Sequence, residues 1–576
     1  MPTNRDIVGY LYEMARLTTL AEESPQSFKV RAYENAAHGI EGTTASVEDM
    51  TVADLVAIQG VGRSIAERIR EFVETGTSEK LEQLRADYPL PFLELTKVPG
   101  LGPKTLNMIR RELGVENLDD LNRAIADEQL RELPGLGKTS EEKIARAIQR
   151  LGLHGKDRRT PIADALPIAE SLCEELRAVP GVTEVECCGS LRRFAETIGD
   201  IDITVAAAAA APVMAFVAKH ASAVEVVGAG DTKTSIITAS GLQVDVRVVQ
   251  PSQFGAAILY FTGSKSHNVA LRQRAISSKR LLNEYGLFEG EALIASESEE
   301  EVYRGLGLDS IPPPLRENAG EIESAATSSL PDLITLDAIC GDLHYHTDRS
   351  GDGRSSLEQM VDAAAQRGYQ YVAITDHGED LTINGSSREQ MTAHHHAIER
   401  VAEGYPDMTV LFGCELNIGP EGSLDYDPEF RRGFDWCVAS IHSHFDLPQA
   451  RQTERILKAL ADPSVSVLGH LTGRYIGRRP GIEVDVDAVL EALSLTGVGL
   501  EVNGALQRLD ASSEVIRRAV DAGVKLVIST DSHHTSELAR MKYGVLNAQR
   551  GWAPKSSVAN ALPREEFLQW AVSRRS

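Results

Sequence analysis

Apolar and polar positions follow three different rhythms along this chain. In the first part, helix-like stretches over 64–74, 104–113 and 140–151 each follow a Gly-x-Gly turn. The turns read Ile58-Gln-Gly-Val-Gly62, Val98-Pro-Gly-Leu-Gly102 and Leu133-Pro-Gly-Leu-Gly137, a repeat at intervals of 40 and 35 residues. From residue 155 the pattern is mixed. A helix over 162–179 leads to a strand over 182–188. Two later stretches alternate strictly, Gly199-Asp-Ile-Asp-Ile203 and Leu242-Gln-Val-Asp-Val-Arg-Val248. A period of two sends Ile201 and Ile203 into a core and puts Asp200 and Asp202 on the other face; Gln243, Asp245 and Arg247 likewise share a face. The run Ala206–Ala211 predicts a helix start or a loop without chemistry. Beyond residue 335, short unbroken apolar runs recur: Tyr371-Val-Ala-Ile-Thr-Asp-His377, Val410-Leu-Phe-Gly-Cys-Glu415, Val438-Ala-Ser-Ile-His442, Val465-Ser-Val-Leu-Gly-His470 and Val527-Ile-Ser-Thr-Asp531. Such runs predict buried parallel strands, and each ends on an imidazole or a carboxylate.

A length of 576 residues suits about three to four domains. Ser310-Ile-Pro-Pro-Pro-Leu315 and Ser328-Ser-Leu-Pro331 are rich in Pro and Ser, which predicts a linker over 316–335. No apolar run is long enough for a bilayer, and no signal peptide is expected at Met1-Pro-Thr-Asn-Arg5. The six cysteines (Cys173, Cys187, Cys188, Cys340, Cys414 and Cys437) form no Cys-x-x-Cys pair, which suits reduced thiols in a cytoplasm. A formal charge of −25 argues against a nucleic-acid partner only at first sight, because the local distribution of cations decides.

Nine potential metal ligands fall between His344 and His533: His344, His346, Asp352, His377, Glu415, His442, His470, Asp531 and His533. Groups at successive strand ends converge on one rim of a barrel. The spacing of two in His344-Tyr-His346 and Asp531-Ser-His533 points both members the same way. Imidazole and carboxylate without thiolate suit zinc, manganese or iron. Nine ligands exceed one ion's needs, so a cluster of two or three is expected, with Glu415 as a bridge. A lone strand-end histidine is ordinarily just a satisfied polar residue; the ordered set carries the expectation. In the middle region, pairing of the two alternating strands would unite Asp200, Asp202 and Asp245. Three clustered anions need a cation, and hard oxygens favour Mg2+ or Mn2+ shared with substrate phosphates. Asp-x-Asp alone more often marks an exposed edge strand. Here Gly189-Ser190 lies ten residues upstream, where a turn can cradle a triphosphate with backbone N–H groups. Arg192 and Arg193 can add charge there. The three Gly-x-Gly turns have helix–hairpin–helix grammar. Gly60, Gly62, Gly100, Gly102, Gly135 and Gly137 permit the tight turn and a close phosphate approach, which holds DNA without reading its bases.

Over residues 335–576 the order of the nine ligands resembles the PHP (polymerase and histidinol phosphatase) domain, a distorted β/α barrel of phosphoesterases. The resemblance implies all nine as ligands. Ser350-Gly-Asp-Gly353 is one residue longer than the usual Ser-Asp-Gly, which leaves Asp348 as a competitor of Asp352. Upstream, Gly189-Ser-Leu-Arg-Arg193, Gly199-Asp-Ile-Asp202, Asp245, Tyr260-Phe-Thr-Gly-Ser264 and Asn268 resemble the family X DNA polymerases over residues 1–315. That implies Asp200, Asp202 and Asp245 as catalytic metal ligands. It implies Gly189, Ser190, Arg193 and Gly199 at the triphosphate, with Arg159 as a further phosphate contact. Tyr260, Phe261 and Gly263 would line the sugar side, and Asn268 would reach the incoming base. Some members of the family use an N-terminal lysine as a Schiff-base nucleophile; Arg68 stands there, and a guanidinium cannot form the imine. Lys29 and Arg31 are expected at a 5′-phosphate.

The expected fold class is multidomain: an N-terminal all-α helix–hairpin–helix region, an α+β nucleotidyltransferase palm and a C-terminal distorted β/α barrel. Expected boundaries are 1–90 for the helical DNA-binding domain, 91–154 for fingers with two further hairpins, 155–315 for palm and thumb, 316–335 for the linker and 336–576 for the barrel. The expected function is short-gap filling in DNA repair of the base-excision type, on gapped or primer–template DNA with dNTPs. Mg2+ or Mn2+ would serve the palm. The barrel would remove 3′-terminal nucleotides or blocking groups with two to three Zn2+, Mn2+ or Fe ions. Arg474, in Gly469-His-Leu-Thr-Gly-Arg474, is expected at the scissile phosphate, with Asn503 and Arg508 behind it. A monomer without membrane contact is expected. Two rivals are a small-molecule phosphatase of histidinol-phosphate type tethered to a DNA-binding module, and a non-catalytic DNA-end scaffold. The hairpins count against the first and the intact carboxylates against the second.

Overall fold

The computed structural model describes residues 4–573 apart from 26, 42–46, 59, 99, 155–158 and 382. Gln59 and Pro99, inside two of the Gly-x-Gly turns, lie outside the described residues. The chain forms two compact units, 1–158 and 159–576.

The first unit is helical throughout its described residues. Helices Arg63–Thr75, Pro103–Leu113 and Lys138–His154 each start directly after the second glycine of a turn. The same backbone bond recurs in all three turns: Val61 N–H donates to Ile58 O, Leu101 to Val98 and Leu136 to Leu133. Val61, Leu101 and Leu136, the residues between the glycines, are buried and anchor each turn. One contiguous apolar cluster runs from Ile7 to Ile148. The segments 1–90 and 91–154 therefore share a single core.

The second unit opens with a five-stranded sheet. Its order is Val182–Cys187, Asp200–Ala207, Gln243–Val249, Lys233–Thr238, Ala223–Ala229. Asp200–Ala207 and Gln243–Val249 run parallel and the other pairs antiparallel. Ile201, Ile203, Val244 and Val246 are fully buried, as the alternation requires. Ala206 and Ala207 finish a strand instead of starting a helix, which begins at Ala211. Tyr260 and Phe261 lie on the helix Phe254–Thr262, and Asn268 on the helix Lys265–Ser277.

The linker expectation is corrected. Arg316, Glu321, Ile322, Ala325 and Ile334 are buried, so the segment 316–335 is anchored at several points, although residues 326–329 and Asp332 are exposed. The helix Glu321–Ala326 lies within it, and Ile322 and Ala325 join the apolar core of the preceding helices. Glu321 is fully buried; it takes the Nδ1–H of buried His267 at 2.6 Å, and His267 Nε2 meets Tyr303 Oη at 3.0 Å. Ile334 already belongs to the next core. Proline and serine content suggested a spacer, but the apolar residues among them dictate burial.

Seven parallel strands then follow in chain order: Gly341–Tyr345, Tyr371–Ile374, Thr409–Asn417, Trp436–Ser440, Val467–Leu468, Gly499–Asn503 and Leu526–Ser529. Tyr345 bridges Ser532 in parallel, so the last strand returns to the first and the barrel nearly closes. The barrel also packs on the palm. Leu509 is buried within the palm's apolar cluster, and the ring of Tyr543 stacks on Phe194 with centroids 6.1 Å apart.

Candidate active sites

All nine groups expected as ligands gather at the C-terminal ends of the barrel strands, where barrels of this kind carry their chemistry. Three sets of ligand atoms lie close enough to share an ion: His344, His346 and Asp531; His346, His377 and His533; His377, Glu415 and His442. Glu415 sits at the centre. Its Oε1 lies 3.5 Å from His344 Nε2, 3.2 Å from His442 Nε2 and 3.0 Å from His470 Nε2. Its Oε2 lies 3.5 Å from His346 Nε2 and 2.9 Å from His377 Nδ1. Asp352 lies 3.5 Å from His377 Nε2 and 3.4 Å from His533 Nε2, so the longer Ser-Gly-Asp-Gly loop still delivers this carboxylate.

Neighbouring residues fix which imidazole nitrogen faces inward. His344 Nδ1–H donates to Glu501 at 2.6 Å and His442 Nδ1–H to Asn417 Oδ1 at 2.6 Å. His346 Nδ1 meets Ser350 Oγ, which in turn donates to the buried Asp376. Such partners orient metal-binding histidines and leave the other nitrogen free. The Nε2 atoms of His344 and His346 are buried without a hydrogen-bond partner and face Glu415 and Asp531. A cation between them satisfies both at once, so the donor set fits metal. The charges agree. Burial opposes ionisation of Glu415, yet His442, His344 and His377 hold its carboxyl well below the usual range. Burial, His533 and His377 push His346 down to about 4, while Glu415 and Asp352 outweigh burial at His377 and raise it to about 10.

Arg474 does not face this cluster. Its guanidinium donates twice to Glu196 of the palm, at 3.0 and 2.6 Å, and to the carbonyls of Arg508 and Leu509. Those donors are committed, which corrects its expected place at the phosphate. Arg508 is a cation beside the cluster. It lies 3.5 Å from Asp531 Oδ2 and rests on the Tyr475 ring, 4.5 Å from its centroid. Asn503 lies 3.2 Å from Asp531.

In the palm, the parallel pair sets Asp202 directly opposite Asp245 and Asp200 opposite Gln243, so the three carboxylates share a face. Burial, then Asp200 and Asp245, raise Asp202 to about 7. Burial opposes Asp245 too, but Lys233, Gln243 and Ser235 overcome it and lower its value. Lys233 Nζ lies 2.6 Å from Asp245. Anions this costly to ionise together fit a divalent cation.

Gly189 has φ +63°, and a Cβ there would lie 2.7 Å from Asp202 Oδ2, so the turn and the carboxylate require glycine. Ser190 follows it in the short helix Gly189–Arg192. Arg193 Nη1 donates to Thr262 O, beside Gly263. Arg159 is held by Thr197 and comes near Gly199. Arg192 points elsewhere, bidentate on half-buried Glu299. Tyr260 and Phe261 meet edge to face, Arg247 lies over Phe261, and Asn268 donates to Tyr260 O at 2.7 Å.

In the hairpins, Gly60, Gly100 and Gly135 have positive φ, +92°, +93° and +82°. A Cβ on Gly62, Gly102 or Gly137 meets nothing within 4 Å. The first glycine of each pair is demanded by the turn. The second leaves an open approach to the backbone. Arg68 donates to Tyr33 Oη, and Lys29 pairs with Glu22 at 2.7 Å.

Sequence patterns missed Lys233, Asp376 and Glu501. Asp376 and Glu501 carried a signal, as carboxylates at the end of or inside the apolar runs 371–377 and 499–503.

A helix–hairpin–helix region, a nucleotidyltransferase palm and thumb, and a metal-binding barrel together define a family X-type polymerase joined to a PHP phosphoesterase. Residues 2–78 match a helix-hairpin-helix domain, 92–150 a SAM-like helix-hairpin-helix tandem, 257–317 the DNA polymerase beta thumb and 342–505 the PHP domain. The Bacillus subtilis DNA polymerase/3'-5' exonuclease PolX is 37% identical over 563 residues, 97% of each chain. The chain belongs to this PolX family. The barrel alone resembles probable phosphatases. YcdX of Escherichia coli is 28% identical over 247 residues, 40% of this chain and 94% of that one, and a Clostridium acetobutylicum protein 29% over 201 residues, 33% and 78%. No helix among the described residues is long and apolar enough to cross a membrane.

Proposed function

We propose that this protein fills short gaps in DNA and trims 3′ ends, with one centre for each reaction. The observation that carries this is the presence of both constellations on one chain, the palm triad beside a Gly189 turn and the nine barrel groups with Glu415 at their centre. Bound divalent ions supply Lewis acidity toward phosphoryl oxygens and acidify water at neutral pH. Asp200, Asp202 and Asp245 hold Mg2+ or Mn2+; the nine barrel residues hold two to three Zn2+, Mn2+ or Fe ions. The Gly189–Ser190 turn, Arg193, Arg159 and Gly199 place the triphosphate of a dNTP. Tyr260, Phe261 and Gly263 crowd the sugar, and Asn268 meets the base. In the barrel Arg508 grips the scissile phosphate, while Glu501, Asn417 and Ser350 keep the imidazoles oriented. The second glycines of the hairpins, with Lys29 and Arg31, hold DNA through its phosphates. Lyase chemistry is left out, because Arg68 cannot form an imine. The protein acts as a monomer in the cytoplasm.

The test uses one gapped substrate with and without dNTPs. Asp202→Asn should abolish nucleotide addition and keep 3′ degradation; His344→Ala should do the reverse and lower the bound metal. Loss of both activities from either change, with an unaltered circular dichroism spectrum, rules out two independent centres.

A further inference from the structure

Glu317 is shared by two guanidiniums from different domains. Its Oε1 accepts Arg193 Nε at 3.0 Å and Arg550 Nη1 at 2.8 Å. Arg193 closes the palm turn that begins at Gly189; Arg550 ends the barrel helix Met541–Arg550. The same Nη1 also donates to the main-chain carbonyl of Arg193 at 2.8 Å. The side chains of Arg193 and Arg550 are 14% and 18% exposed, that of Glu317 32%. Burial would raise the Glu317 carboxyl, but Arg550 and then Arg193 outweigh it and hold it below its ordinary range.

We infer that Arg550, a barrel residue, is a positioning residue for nucleotide addition in the palm. It keeps Glu317 paired, so that the Arg193 guanidinium can leave for an incoming triphosphate, and it pins the turn through the Arg193 carbonyl. This rests on the reading of Arg193 as a triphosphate contact. An arginine that exchanges one anion for another strands the first. A part-buried carboxylate that loses its only cation is costly, so without Arg550 the Glu317 charge competes with the triphosphate for Arg193. With Arg550 in place a cation stays behind. The other side-chain hydrogen bond of Arg193, from Nη1 to the Thr262 carbonyl, meets no full charge and does not hold it back in the same way.

The experiment is steady-state dNTP addition by the full chain on gapped DNA, with 3′ degradation measured alongside as a check on folding. Arg550→Ala should raise the KM for dNTP by at least about fivefold and change kcat by less than about twofold. Arg550→Lys should recover most of the loss. The deciding variant is Arg550→Ala combined with Glu317→Gln. A neutral amide no longer detains Arg193, so KM should return toward the wild-type value. If Glu317 and Arg550 merely glue the two domains together, the second change adds to the damage. An unchanged KM in Arg550→Ala, or a double variant no better than the single one, overturns the inference while leaving the polymerase reading intact. A wild-type protein that adds no nucleotide at all removes both.

Discussion

Single residues here are costly when they hold two partners. Glu299 receives both Arg192 and Arg316, and Arg316 is almost wholly buried. Burial alone would raise its carboxyl; Arg316 and Arg192 pull it down to about 2. Glu299→Ala leaves buried Arg316 without its anion and Arg192 with Glu186 at 3.4 Å, and should destabilise the second unit by about 3–5 kcal/mol, read as a shift of the urea midpoint. The pH dependence follows from the depressed value. The carboxylate's stabilisation is present above the ordinary 4.5 and lost as pH falls through about 2. The acid limb of a Tm profile should therefore flatten in the variant over that window. A Glu299→Ala protein with an unchanged midpoint would show that the pair is not needed for folding.

At the scale of elements, the glycines of each hairpin divide their work. Gly100 adopts φ +93°, where a side chain is strained, whereas Gly102 is an ordinary helix N-cap with open space around it. Gly100→Val should lower the Tm of the first unit. Gly102→Val should leave it within about 0.5 kcal/mol yet weaken DNA binding equally on unrelated sequences. Filter-binding on two unrelated duplexes decides this; a loss confined to one sequence would mean base readout. The strands themselves were legible. Strict alternation placed Asp200, Asp202 and Asp245 on a common face, and the unbroken apolar runs located the barrel and its nine polar ends. What misled was composition. Four prolines at 312–314 and 331, with several serines, suggested a spacer over 316–335, although Ile322 and Ala325 are core residues. Arg474 and Arg508 were indistinguishable by pattern, because only tertiary packing decides which one meets Glu196.

At the scale of the whole molecule, one barrel loop serves both domains. Leu509 enters the palm's core, while its neighbour Arg508 leans toward Asp531. Arg474 grips the carbonyls of both and is itself held by Glu196 of the palm. Glu196→Ala should therefore slow 3′ degradation by about ten- to a hundredfold, a usual result of misplacing a group that positions substrate, with metal content unchanged. If Arg474 instead served the phosphate directly, releasing it from Glu196 would not slow the reaction. Contacts of this kind join residues 278 positions apart, and no local rhythm announces them.

The Glu317, Arg474 and Leu509 contacts also bear on traffic. They fasten palm to barrel, so a swinging domain would have to break all of them to carry a mispaired primer end from one centre to the other. The strand itself must melt, slide or let go. Editing then becomes a race between the next nucleotide and departure, and fidelity is set as much by how long the DNA stays as by how well either pocket fits.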